Sequence, residues 1–258
     1  MDHEAVELIL ANRAFLYGVL ARGYAEEMNE SFAEILTSDH AAEEVTLVET
    51  AGASSPEGPF DEVLAWLLSS NKTGKESGGG EPNSKAPVIG DADESGAQET
   101  GHARKTFSKR TVELIAQEYV RIFIGPGTLK ADPWESVHLT GRRVLFQPHV
   151  LEIRDAYHAA GFLPARYRKV SDDFIGIECD FMAKLAERAL KSHRKGDDVA
   201  RDEDLRTSQD FLTRHLSIWI DSLASRIEEG YGECFYAAFT RFAASVFRRD
   251  ITVLDQLL

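Results

Sequence analysis

The sequence predicts an all-α fold, a bundle of about eight to ten helices. Three observations predict it. Apolar residues recur at three- and four-residue steps in segment after segment. No segment shows convincing period-2 alternation; Arg142-Arg143-Val144-Leu145-Phe146 comes nearest and is too short to build a sheet. The stretches between periodic segments carry helix caps and stops. No internal repeat of fixed period is present.

Taken in order, Val6, Ile9, Leu10, Arg13, Ala14, Tyr17, Leu20, Ala21 and Tyr24 mark one amphipathic helix over roughly 3–25. A short helix follows with Phe32, Ile35 and Leu36 on one side, and another runs from Asp61 to Leu68. From Ser69 to Lys105 the chain turns to Gly, Ser, Glu, Asp, Lys and Pro, with Val88 and Ile89 nearly its only large apolar residues. Such a segment buries too little surface to offset its ordering entropy, so it is expected to be a disordered insertion interrupting a single 1–258 domain. The helical period resumes near Thr106 and carries Val112, Ile115, Tyr119, Ile122 and Phe123 until Gly125-Pro126-Gly127 stops it. After an irregular stretch, a helix spans about Gln147 to Ala160, with Pro148 suited to its first turn and Gly161 to its end. Ser171-Asp172-Asp173 is an N-cap cluster, and it predicts Asp173 at the start of the helix carrying Ile177, Phe181, Leu185 and Leu190. Further helices carry Leu205 to Ile227 and Phe235 to Phe247, and a short terminal helix ends at Leu257-Leu258.

Composition narrows function by exclusion. The net charge is −14, and phosphate binding needs a basic face, so nucleic acid is not an expected partner. No run approaches the ~20 apolar residues of a membrane span. The acidic start, Met1-Asp2-His3-Glu4, lacks a signal peptide's basic region, and the expected compartment is the cytoplasm. Cys179 and Cys234 sit far apart in apolar helical patterns, as small buried hydrophobes would. Asn71-Lys72-Thr73-Gly74-Lys75-Glu76-Ser77 lacks the upstream glycine and following hydroxyl of a P-loop. His149 and His158 share a helix nine residues apart, too far to ligate one metal from one face. The chain is therefore not expected to be an enzyme, and no catalytic residue, cofactor or metal ligand is expected.

Two constellations stand out. The first is Glu118-Tyr119-Val120-Arg121-Ile122-Phe123-Ile124-Gly125-Pro126-Gly127, followed closely by Pro133-Trp134-Glu135-Ser136-Val137. The second is Asp172-Asp173-Phe174-Ile175-Gly176-Ile177-Glu178-Cys179-Asp180-Phe181-Met182. At these residues the sequence resembles the TorD/DmsD family of redox-enzyme maturation chaperones. That family's pattern reads approximately Tyr-x-x-Leu-Phe-x-Gly-Pro-Gly, then Pro-Trp-x-Ser-Val, then Asp-His-x-x-x-Glu-Leu-x-Phe-Met. Phe174 stands here where the family usually has His, and Cys179 where it has Leu.

The resemblance implies a TorD-like helical bundle and a cytoplasmic chaperone, monomer or dimer. Its partner would be the twin-arginine signal peptide, or the body, of a DMSO/TMAO reductase-type molybdoenzyme precursor, held until cofactor insertion is complete. By similarity Tyr119, Phe123, Trp134, Ser136, Asp173 and Glu178 are expected at or near the signal-peptide and client-binding surface. An apolar groove would take the peptide's hydrophobic stretch while acidic residues face its arginines. Two alternatives stand beside it: a chaperone for a leaderless or non-exported, nitrate reductase-type subunit, and a nucleotide-binding switch or hydrolase. Deleting residues 69–105 is expected to leave the thermal unfolding midpoint nearly unchanged in a calorimetric scan; a large drop would show that the insertion packs.

Overall fold

The computed structural model describes residues 1–49, 58–68, 107–144, 147–165 and 169–258. The expected insertion at 69–105 lies outside them. Eleven α-helices run in the order α1 (His3–Ala25), α2 (Glu30–Leu36), α3 (Asp39–Glu49), α4 (Pro59–Leu68), α5 (Lys109–Tyr119), α6 (Glu135–Thr140), α7 (Pro148–Ala159), α8 (Ile175–Arg194), α9 (Asp198–Phe211), α10 (Ser217–Tyr231) and α11 (Phe235–Leu257). A π turn over Val120–Ile124 extends α5, and another over Leu212–Leu216 fuses α9 to α10 into one rod. Counted as continuous rods, the described residues form ten, so the expected all-helical bundle is what the chain adopts. Among the described residues there is no strand, only an isolated antiparallel bridge between Trp134 and Phe174. No described helix is long and apolar enough to cross a membrane.

Local chemistry explains the ends. Asp2 caps α1, its carboxylate accepting from Ala5 N at 2.8 Å. Asn29 does the same for α2 through Phe32 N, and Ser108 for α5 through Thr111 N. Pro148 occupies the first turn of α7, where a missing N–H costs nothing. At Gly125 the backbone turns to φ +25°, and Gly127 follows at φ +98°, so the Gly-Pro-Gly stop uses conformations that a side chain would oppose.

α11 is the centre of the bundle. Phe235, Tyr236, Ala237, Ala238 and Phe239 are buried consecutively, which happens only when a helix is surrounded. α1 and α8 make the most extensive helix–helix contact. Apolar side chains from every helix but α6 share one buried cluster. Both cysteines lie within it as free thiols, as expected, and burial pushes the Cys234 thiol up to about 12.

Two departures from expectation have simple causes. The final segment is not a separate short helix, because α11 continues unbroken to Leu257; Asp250 and Leu254 stay on its buried face. The short helices α3 and α6 have no counterpart among the helices that the sequence predicts. α3 is capped by Ser38, whose Oγ accepts from Ala41 N, and is held by Asn12 donating to Glu44 O and Oε2 at 2.6 and 2.7 Å. α6 is only six residues long, and tertiary contacts hold it in place of sequence periodicity.

A buried polar tie joins the first helix to the last. Arg13 Nε and Nη2 donate to the two oxygens of Asp250 at 2.6 and 3.1 Å, and Tyr17 Oη donates to Oδ2 at 2.8 Å. Arg13 and Asp250 are both nearly inaccessible. Removing one partner strands the other charge in a low-dielectric interior, where the cost is about 3–5 kcal/mol. Asp250→Ala is therefore expected to lower the urea midpoint by that equivalent, while the double replacement Arg13→Met/Asp250→Leu recovers most of it; equal midpoints for wild type and Asp250→Ala would refute the tie.

Candidate functional site

The two constellations meet in space. Glu135 N donates to Asp173 O, and Ile175 N donates to Pro133 O, both at 3.0 Å. These bonds form the Trp134–Phe174 bridge. Ser136 N donates to Asp173 Oδ2 at 3.0 Å, so the Asp173 carboxylate caps α6. Asp173 is thus not the N-cap of its own helix, as the sequence suggested. Phe174 holds that position without a side-chain cap bond, and the carboxylate serves a helix start from across the chain. Ser171 Oγ contributes a further bond to Asp173 Oδ1.

Each loop is braced from outside the clasp. Asp132 receives Arg143 through Nε and Nη2, both at 2.7 Å, and Asp172 receives Arg154 Nε at 2.6 Å. Tyr157 Oη donates to Asp172 O at 3.0 Å. Neighbouring side chains on extended backbone point to opposite faces. Trp134 accordingly reaches outward, half-buried, while Glu135 turns inward and is completely buried.

Outward of the clasp lies a groove of about 640 Å³. Gly18, Ala21 and Ala25 of α1 form one wall, Tyr119 and Phe123 a second, and Gly176, Ile177 and Ala183 of α8 a third; Trp134 and Phe174 close one end. Its size is within the usual range for small-ligand clefts, roughly 300–1,000 Å³. Gly176 is required here: a Cβ would stand 2.7 Å from the Phe174 ring and 3.2 Å from Ala25 N, forcing α8 away from α1. Gly18 is different, since a Cβ there would meet nothing within 4 Å and would project into open space.

The six residues expected at the binding surface divide evenly. Tyr119, Phe123 and Trp134 line the groove. Tyr119 and Phe123 present only an edge, being 5% and 7% exposed, and pack on Tyr236 at ring distances of 5.7 and 5.1 Å. Tyr119 Oη donates to Tyr24 O at 2.9 Å, fixing the ring against α1. Ser136, Asp173 and Glu178 are buried behind the groove and do not line it. Acidic groups on the groove are instead Glu26, Asp180 and Glu187, which the sequence reading did not single out. Glu187 is paired with Lys184 at 3.1 Å, whereas neither Glu26 nor Asp180 has an ion-pair partner among the described residues. Burial pushes the Asp180 carboxyl up, and Lys184 pulls it back.

Behind the clasp, Glu178 lies against Glu135. Burial pushes the Glu178 carboxyl well above the usual range, the adjoining Glu135 raises it further, and the Trp219 indole opposes. Among the described residues no hydrogen bond of normal geometry reaches either Glu178 oxygen or Glu135 Oε2. Glu135 Oε1 contacts His149 Nε2 closely and His215 Nδ1 at 3.1 Å. No spacing in the sequence announces this pair of histidines, since they come from α7 and from the π turn after α9.

An all-helical bundle with a clasped loop pair behind an apolar groove defines the class, and comparison with known proteins gives the family. Residues 91–225, just over half of the chain, match the family described as nitrate reductase delta subunit. The chain belongs to that family, the TorD/DmsD-type maturation chaperones. Two curated relatives from Vibrio cholerae serotype O1 are both named chaperone protein TorD. The El Tor Inaba protein is 24% identical over 143 residues, covering 55% of this chain and 63% of the relative. The Classical Ogawa protein is 26% identical over 145 residues, covering 56% and 64%. The matches thus span just under two thirds of those relatives' own length. No solved structure matches the chain.

The clasp generates a direct test. Asp173→Ala removes the α6 cap and strands the buried Ser136 N–H, and is expected to cost about 1–2 kcal/mol in chemical denaturation. Asp173→Asn keeps an acceptor oxygen and is expected to cost less; the reverse order would contradict the capping role.

Proposed function

We propose that the chain is a cytoplasmic maturation chaperone, working as a single domain. It holds the twin-arginine leader of a molybdopterin redox-enzyme precursor in the groove between α1, the end of α5 and α8, until cofactor insertion is complete. The observation that carries this reading is the groove itself: apolar along its walls through Phe123, Trp134 and Phe174, and lined by three carboxylates, Glu26, Asp180 and Glu187, against two cations, Arg22 and Lys184. A leader of this kind joins an arginine pair to an apolar stretch, and the groove offers carboxylates and apolar walls side by side. Arginine on carboxylate is the stronger kind of polar contact, because charge and fork geometry act together. The net charge of −14 adds long-range attraction for a basic peptide. The Phe174 ring adds apolar surface to this wall. Ser136 and Asp173 then act on binding indirectly, by holding Trp134 and the start of α8 in place, while Glu178 stays buried behind them.

A second reading has its own support. The matched family is described as nitrate reductase delta subunit, which favours a client whose recognised segment is a terminal peptide without an export signal. A client truncated at its leader that binds unchanged would favour it over the first.

The groove assignment is tested by filling it. Gly18→Leu places a side chain in open groove space while improving helix propensity by about 0.8–1 kcal/mol. Together with Trp134→Ala, it is expected to weaken leader binding at least tenfold in calorimetric titration, with Gly18→Leu no less thermally stable than wild type. A wild-type dissociation constant weaker than the order of 10 µM to 100 µM, or leader affinity untouched by Gly18→Leu, would remove the reading.

A further inference from the structure

Three segments that are distant in sequence converge behind the clasp on a set of metal-ligand atoms. Glu135 comes from the first turn of α6, His149 from the first turn of α7, and His215 from the π turn between α9 and α10. One ligand atom from each lies within 4.8 Å of the other two. We propose that Glu135, His149 and His215 bind one divalent transition-metal cation of the zinc class.

The donor set selects this chemistry. Two imidazole nitrogens and one carboxylate suit zinc and its first-row neighbours, which accept three protein ligands and leave a position for water. Magnesium and calcium prefer all-oxygen cages and are disfavoured by two nitrogens.

Charge points the same way. Glu135 and Glu178 are both completely buried and adjoin one another. Among the described residues neither is paired with arginine or lysine; the ionic partners of Glu135 are the two histidines. A buried carboxylate is costly without a counter-charge, and a divalent ion between Glu135 and the two rings would supply one. Glu135 Oε2 and both Glu178 oxygens lack hydrogen-bond partners among the described residues, so the carboxyl groups have coordination capacity to spare.

The surroundings are those of a held site. His215 packs on Phe211 at 4.7 Å between ring centres, which fixes its plane. The other ring nitrogen of His149, Nδ1, faces Glu152 Oε2 at 3.9 Å, too far for a direct hydrogen bond. A helical bulge with an extra residue redirects side chains, and such turns are frequent at functional sites; here the bulge carries His215. The His149 side chain is 22% exposed, which opens a path for the ion, while Glu135 and His215 are closed to solvent.

The test uses the full-length chain without a histidine tag, stripped with chelator and titrated with Co²⁺ as the probe. One equivalent should bind with visible ligand-field absorption, Zn²⁺ should displace it, and saturating Zn²⁺ should raise the thermal midpoint. His149→Ala, at a partly exposed position, should weaken Co²⁺ binding at least tenfold, and Glu135→Gln or His215→Ala should do the same. His158→Ala, on the exposed side of the same helix, should leave binding unchanged. Absence of stoichiometric binding, or Co²⁺ spectra unaltered by His149→Ala in a variant whose circular dichroism matches wild type, would overturn the site.

Discussion

The antiparallel clasp between Pro133–Ser136 and Asp173–Ile175 is the constraint on which the rest of the site depends. Two backbone hydrogen bonds and one carboxylate cap tie together loops that α6 and α7 separate in sequence. Extended geometry then sorts the side chains. Trp134 faces the groove, and Glu135 faces the interior beside Glu178, His149 and His215. One short clasp therefore shapes both an outer apolar surface and an inner polar cluster. Loosening it would disturb both at once, which is why buried Asp173 and Ser136 matter to a surface that they do not line.

The groove needs two more supports. Its α1 wall is anchored at the far end by Arg13 and Tyr17 on Asp250, and at the near end by Tyr119 Oη on the Tyr24 carbonyl. Its α8 wall approaches α1 closely only because Gly176 has no side chain. The π turn after Tyr119 then carries Phe123 into the space between them, and Gly125 ends the helix before it would run across the opening. Groove and bundle core are continuous here: Tyr119 and Phe123 belong mostly to the core and lend the groove their edges. A substitution at either position would register first as lost packing, so Gly18 and Trp134 are the cleaner probes.

Much of the fold was legible in the sequence because it is local. The 3.6-residue period placed α1 over 3–25 and α7 within a residue of its limits, and Ser108, Pro148 and Gly-Pro-Gly behave as capping and stop chemistry dictates. The misses share a cause. α3 and α6 are short elements held by tertiary hydrogen bonds, so periodicity carries little trace of them. Asp173 looked like the cap of the next helix because capping chemistry is the same whether the acceptor serves its own chain neighbours or a distant helix. Glu135 lies inside a conspicuous motif, yet nothing in Pro-Trp-Glu-Ser-Val says which way its carboxylate turns. His149 and His215 meet only through the packing of α7 on the α9–α10 rod, and no spacing rule could join them.

The central claim is that a clasp-supported groove between α1, the end of α5 and α8 is the peptide-binding surface. Hydrogen–deuterium exchange of the intact chain with and without a twin-arginine leader peptide tests it most directly. The account expects Glu135 and Ile175 amides to exchange slowly already in the free protein, and the peptide to add protection across 18–26, 119–124 and 174–187. Fast exchange at the clasp in the free protein, or peptide-induced protection confined to other faces of the bundle, would contradict it.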